Sequence, residues 1–159
     1  HHLECRIKGI RSIVNKMQRY GLPLTLDSVR EHIQDISGIR VICNFIDDIY
    51  LMEKLLLKQA DITLIKRKDY IEKPKENGYR SLHIVVKVPV FLSDKTENVP
   101  VEIQMRTIAM DYWASLEHAL RYKNDKDDMV KYSAMLLDCA NTLAGTEKIM
   151  QQIRNSIEN

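Results

Sequence analysis

A chain of 159 residues, 45% apolar and 29% charged, has the length and balance of one soluble globular domain with its own core rather than of a disordered chain. No apolar run approaches the ~20 residues of a membrane-spanning helix, and no apolar signal core is seen at the N-terminus, so the expected compartment is the cytoplasm. The net charge of +2 is too small for nucleic-acid binding by bulk electrostatics.

Residues from about 6 to 20 read as an amphipathic helix. Ile7, Ile10, Ile13 or Val14, and Met17 form one stripe, and Arg6, Lys8, Arg11 and Lys16 lie mostly off it. Gly21 is a stop signal, Pro23 keeps the next residues out of that helix, and Thr25 or Asp27 caps a short second helix to about Ile33. IRVICNF, residues 39–45, is β-branched and apolar and predicts a buried strand. Asp47 then reads as the N-cap of a helix to about Gln59, and a strand follows over about Ile62–Ile65. Pro74 and Asn77-Gly78 place DYIEKPKENGY in a loop or turn. SLHIVVKVPVFL predicts a strand to about Val88, SDKTEN a hairpin connection, and VPVEIQMR a second strand. Two helices close the chain, about 107–122 and a long amphipathic one over about 127–157. This order predicts a mixed α/β (α+β) fold: a sheet of about four or five strands flanked by helices. The cysteines, Cys5, Cys43 and Cys139, are far apart and form no Cys-x-x-Cys pair, so a zinc knuckle or redox pair is not indicated and Cys43 is expected in the core.

Three segments carry candidate chemistry. In VEIQMR the two-residue period places Glu102, Gln104 and Arg106 on one face, with Val99, Val101, Ile103 and Met105 on the other. A strand whose polar side chains simply face water would look the same. In PKENGYRSLH, Lys75, Asn77, Tyr79, Ser81 and His83 fall at every second position. An extended chain here would project cations, an aromatic ring and hydrogen-bonding groups to one side, as a nucleotide base and its phosphates require. A plain hairpin turn with a structural histidine is the alternative. In QDISGIR, Asp35 precedes a strand that Arg40 opens, and a carboxylate at a sheet mouth suits magnesium. Asp35 and Arg40 have opposite parity, so both reach one site only if the strand begins after Asp35 or bulges near Gly38. Two basic clusters, Arg6, Lys8, Arg11 and Lys16, then Lys66, Arg67, Lys68, Lys73, Lys75 and Arg80, fit either a polyanionic small molecule or a solvated surface. Trp113 reads as core, and the adjacent Glu117 and His118 diverge by ~100° on a helix and do not make a metal pair.

RIKGIRSIVNKM, QDISGIRVICNF, DYIEKPKENGYRSLHIVV and VPVEIQMRTIAMDYWASLEHALRYK together resemble the RelA/SpoT-type (p)ppGpp synthetase domain, most closely the small single-domain alarmone synthetases (RelP/RelQ-like). The match runs from about Arg6 to Lys123, so residues 1–123 are expected to form the catalytic domain and 124–159 a helix packed on it or in an oligomer interface. The resemblance implies a nucleotidyltransferase-like sheet and transfer of pyrophosphate from ATP to the 3′-hydroxyl of GDP or GTP, giving AMP and ppGpp or pppGpp in the stringent response. It implies that Asp35 and Glu102 are catalytic and hold Mg²⁺, and that Arg6, Lys8, Lys16 and Arg40 bind ATP, the two arginines about its adenine. Tyr79 would stack on guanine, and Lys75, Asn77, His83, Gln104 and Arg106 would line the GDP/GTP and phosphate sites. Glu102 would orient the hydroxyl early and accept its proton late. Lys66, Arg67 and Lys68 sit where long-form relatives carry a charged motif tied to GDP versus GTP preference, but do not match it letter for letter. No His-Asp dipeptide occurs, so the hydrolase site of bifunctional relatives is not expected. The resemblance implies a homo-oligomer, with a tetramer favoured; no membrane partner is expected, nucleic acid is not required, and RNA stays open as a partner. An inactive nucleotide- or RNA-binding relative and a pyrophosphokinase with another acceptor are the rival functions.

Overall fold

A computed structural model describes residues 2–33, 36–123 and 126–158, with the side chains of Arg6, Arg30 and residues 122–131 left aside. The elements are β1 (His2–Ile7), α1 (Ile10–Arg19), α2 (Leu26–His32), β2 (Ser37–Cys43), α3 (Ile46–Leu57), β3 (Thr63–Asp69), β4 (Leu82–Phe91), β5 (Thr96–Thr107), α4 (Ile108–Lys123) and α5 (Lys126–Glu158). The five strands form one mixed sheet in the order β1-β2-β5-β4-β3. β2 and β5 run parallel and the other neighbours antiparallel.

The fold class is as expected, with local corrections. The predicted helix over 6–20 begins only at Ile10, because His2–Ile7 pairs with β2 as an edge strand. Arg6 is therefore a strand residue paired with Gly38, not a helix residue. Of the predicted apolar stripe, Met17 is fully buried while Ile7 and Ile10 are each 80% exposed. The second correction is β3, which runs on to Asp69 rather than ending near Ile65.

Capping sets several boundaries. Gly21 ends the α1 turn at φ +64, a conformation costly for any side chain. The Thr25 hydroxyl accepts from the Ser28 N–H and starts α2. α3 is capped two residues earlier than the expected Asp47: the N-cap is Phe45, whose N–H donates to the Asp48 carboxylate at 3.2 Å.

The period-two pattern divides the sheet into two faces. Cys43, Leu82, Ile84, Val86, Ile103 and Met105 pack with Ile49 of α3 and Met110 of α4 in the main core. Trp113 and Ala114 meet Ala140 of α5 in a second cluster, and the Trp113 indole N–H donates to the Leu136 carbonyl. α5 is further tied down where the Arg154 guanidinium meets Asp48 and the Phe45 ring.

Candidate active site

The other face of the sheet is polar, and its register aligns residues from all five strands. Glu4, Arg40, Gln104, His83 and Lys68 lie directly across one another on β1, β2, β5, β4 and β3. The adjacent row is Arg6, Gly38, Glu102, Val85 and Lys66. Residues directly opposite on neighbouring strands share a face, so these rows make one continuous floor.

Two clefts open on that floor. The first, of about 640 Å³, is lined by Glu4, Lys8, Gly38, Arg40, Glu102 and Gln104. The second, of about 400 Å³, is lined by Lys16, Lys66, Lys68, Tyr70, Lys75, His83 and Glu102, with Tyr20 and His32 at its rim. Glu102 lines both. A hollow along α1 holding Lys8, Ser12, Asn15, Lys16 and Arg19 runs beside them.

A closed circuit of side chains stands beside the second cleft and enters it at His83 and Glu102. His83 Nε2 and the Tyr79 hydroxyl are 2.8 Å apart. Arg106 Nη2 donates to that hydroxyl at 2.7 Å and to Gln104 Oε1 at 3.1 Å. Gln104 Nε2 donates to Glu102 Oε2 at 3.1 Å, and His83 Nδ1 stands 3.5 Å from Glu102 Oε1. Each member orients the next, so the circuit is pre-set before a ligand arrives. The Lys75 ammonium sits 4.7 Å from the ring centres of both Tyr70 and Tyr79.

Strand alternation sorts the second basic cluster. Lys66 and Lys68 face the cleft, while Arg67, on the opposite side of β3, is bound by Glu53 at 2.7 Å and Asp69 at 3.1 Å. Arg80 donates to the Ala140 carbonyl on α5. Asp69 anchors the turn behind the cleft. Burial works against its carboxylate, but N–H donation from Glu72 and Ile71, the Tyr50 hydroxyl and Arg67 outweigh that and hold its pKa below the ordinary value. Burial and Asp69 together push the Tyr50 phenol up to about 12.

The predicted row from Lys75 to His83 comes together by a different backbone. The segment is a tight turn, with Gly78 N–H donating to the Lys75 carbonyl and Lys75 N–H to that of Tyr79. Gly78 has φ +90, and a Cβ there would stand 2.6 Å from the Ala140 Cβ. Lys75, Tyr79 and His83 meet, but two members of the row leave it. Asn77 Oδ1 accepts from the Tyr79 N–H and shapes the turn, and Ser81 is fully buried, donating to the Met105 carbonyl. Glu102, Gln104 and Arg106 share one face as expected. Arg40 reaches the first cleft because β2 begins at Ser37, after Asp35. Asp35 and the side chain of Arg6 lie outside the described residues. Lys8 lines the first cleft and Lys16 the second. Sequence reasoning missed Tyr70 and Asp111. Tyr70 continues the parity of Lys66 and Lys68, a signal hidden by ending the strand at Ile65.

Comparisons with known proteins give the family. The sequence profile of the region found in RelA/SpoT proteins matches residues 5–127. The chain belongs to the RelA/SpoT family. Among its relatives, the GTP pyrophosphokinase YwaC of Bacillus subtilis is 43% identical over 157 residues, 99% of this chain and 75% of that protein. The GTP pyrophosphokinase YjbM of the same organism is 37% identical, over 96% of this chain and 71% of that protein. The crystal structure of small alarmone synthetase 1 from B. subtilis bound to its product pppGpp superposes with a TM-score of 0.87 at 34% identity, covering 100% of this chain and 80% of that one. As a family member the chain shares the alarmone-synthetase fold, and no described helix is long and apolar enough to cross a membrane.

Proposed function

We propose that this chain is a (p)ppGpp synthetase that moves pyrophosphate from ATP to the 3′-hydroxyl of GDP or GTP. The observation that carries this is one carboxylate, Glu102, lining both a cleft walled by Arg40 and Lys8 and a cleft walled by four lysines and two tyrosines. The names of the GTP pyrophosphokinase relatives, and the pppGpp bound to one solved relative, support the same reaction.

ATP is assigned to the first cleft, with Arg40 and Arg6 about the adenine and Lys8 and Lys16 toward the phosphates. The guanine nucleotide is assigned to the second. There Tyr79 carries the base, and Lys66, Lys68 and Lys75 neutralise phosphate charge. A purine on Tyr79 takes the place now held by the Lys75 ammonium, which frees that cation for a phosphate. The 3′-oxygen then forms a bond to the β-phosphorus of ATP. The bond from that phosphorus to the oxygen bridging to the α-phosphate breaks, and AMP leaves with the electron pair. Glu102, oriented by Gln104 and His83, holds the hydroxyl and accepts its proton late. Much of the rate would come from aligning two substrates across a shared carboxylate.

Mg²⁺ fits the residues present. Glu102 offers hard oxygen donors at the junction of the clefts, and Asp35 is proposed as its partner. Mg²⁺ takes one or two carboxylates and completes its shell with phosphate oxygens and water. When bound, it would neutralise phosphate charge. Assembly as a homo-oligomer, with a tetramer favoured, is part of the proposal. Met135, Ile149, Met150 and Ile153, exposed along α5, support it, and light scattering on the purified chain tests it.

The decisive experiment incubates the purified chain with Mg²⁺, ATP and GDP or GTP. AMP and a guanosine 3′-diphosphate are expected in equal amounts. No AMP, or AMP formed only with tRNA or an adenosine nucleotide as acceptor, sinks the proposal.

A further inference from the structure

Asp111 stands in the first turn of α4, five residues after Arg106. Its Oδ1 accepts from Arg106 Nη1 at 3.0 Å and lies 3.5 Å from Arg40 Nη1. The two guanidinium groups belong to different halves of the site. Arg40 lines the first cleft, whereas Arg106 holds the Tyr79 hydroxyl, which touches Lys75 and His83 of the second, and the amide oxygen of Gln104. One carboxylate oxygen thus lies between a donor-side cation and an acceptor-side cation.

The two arginines depend on it unequally. Arg40 has a second carboxylate, Glu4, at 3.2 Å. Arg106 has 7% of its side chain exposed, and Asp111 is the carboxylate that pairs with it among the described residues. A nearly buried guanidinium that loses its counter-charge has to move, rehydrate or seek another anion. In this site the other anions are substrate phosphates. The place of Asp111 also suits its own charge, because the first turn of a helix favours a carboxylate. α4 follows β5 without a break, so the chain brings this anion back beside the strand that carries Arg106.

We infer that Asp111 is a positioning residue shared by the two halves of the site. It fixes Arg106, and through Arg106 the orientation of Tyr79 and Gln104, while it steadies Arg40 at the donor wall. It acts through the arginines and touches neither nucleotide. The dependence is steeper on the acceptor side, because Arg40 keeps Glu4 when Asp111 is lost.

This rests on the pyrophosphate-transfer reading, so the test is a binding measurement that needs no turnover. An inactive wild-type chain would sink that reading and leave this test intact. Calorimetry with GDP and with a non-hydrolysable ATP analogue is run on the wild-type chain, Asp111→Ala and Asp111→Asn. Loss of one charge-assisted contact on a buried cation corresponds to about tenfold or more in GDP affinity for Asp111→Ala, and about two- to threefold for the ATP analogue. Asp111→Asn, which keeps the shape and removes only the charge, is expected between wild type and Asp111→Ala. It supplies the same readout if the alanine variant fails to fold. In an Arg106→Met background, Asp111→Asn is expected to lose its effect on GDP. Affinities left unchanged or tightened in the folded variants, with only the melting temperature lowered, overturn the inference, as do additive losses in the double variant.

Discussion

The proposed acceptor and donor halves of this site share a floor but differ in how they are held. The acceptor half sits over β3, β4 and β5, and its side chains hold one another: His83, Tyr79, Arg106, Gln104 and Glu102 close a circuit. The donor half is bounded by an edge strand, β1, and by Lys8 just before α1. There Leu3, Ile7 and Ile10 stay exposed. A wall whose side chains bond one another keeps its shape without ligand, whereas a wall with little buried apolar surface opens at low free-energy cost. The acceptor cleft is therefore pre-formed, and the donor cleft is the half that a bound nucleotide would do most to shape.

Four measurements break or sharpen that contrast. Glu102 belongs to both halves, so its loss is the largest effect: Glu102→Gln is expected to lower kcat by about 10²–10⁴-fold, with smaller changes in either KM. Near-normal turnover in this variant, set against inactivity in Asp35→Asn, would remove Glu102 from the proton-accepting role.

Next comes the rigidity of the acceptor turn. Gly78→Ala places a side chain at φ +90 against Ala140 and Leu137, with an expected cost of about 2–4 kcal/mol from backbone strain and overpacking combined. Thermal unfolding reads the loss. A melting temperature equal to the parent's would show that α5 yields and that the turn is not held as described.

A third pair separates the halves directly. Tyr79→Ala is expected to raise the GDP or GTP KM by about 5–150-fold, the value of about 1–3 kcal/mol of base stacking, and to leave the ATP KM in place. Arg40→Ala is expected to do the reverse, by about 5–30-fold for a guanidinium–base contact of about 1–2 kcal/mol. Steady-state kinetics with each substrate varied in turn decides it, and a shift in the same KM for both variants would collapse the two-cleft assignment.

The smallest effect lies behind the site, where the Thr107 hydroxyl donates to Glu147 of α5. Burial raises the Glu147 pKa above its ordinary value of 4.5, against the opposing pull of Thr107 and Arg80. For an acid whose folded pKa is raised, the stabilisation is complete below the ordinary value and is lost as pH rises through the raised one. Glu147→Gln should match the parent near pH 4 and melt higher at pH 8, by on the order of 1 kcal/mol or less. A difference that does not vary with pH would place the ionisation elsewhere.

The two halves were also unequally legible. The acceptor strand VEIQMR declares its faces by strict alternation, and β4 does so nearly as well. Trp113 reads as core from helical spacing and is core. By contrast, HLECRI has no apolar run to mark it, and it becomes a strand only because β2 offers an open edge. The stripe of Ile7, Ile10 and Met17 satisfies a helical period by coincidence, since Ile7 belongs to that edge strand. KRKD does not look like a strand, so Tyr70 fell outside the candidate site, although β3 carries Lys66 and Lys68 into it. Asp111 gives no signal as an arginine anchor, because one of its partners lies on β2, far away in the chain.

By itself the sequence determined which residues face core and which face the site along β4 and β5, the Gly21 stop of α1 and the Thr25 cap of α2, and the family to which the chain belongs. These depend on local periodicity, capping chemistry and residue identity. Only the tertiary structure decided that Glu102 lines two clefts, that the Lys75–His83 segment converges through a turn at Gly78, and that Asp111 links Arg40 with Arg106. Those relations depend on strand order and register, which are set when distant segments bury their apolar faces against one another.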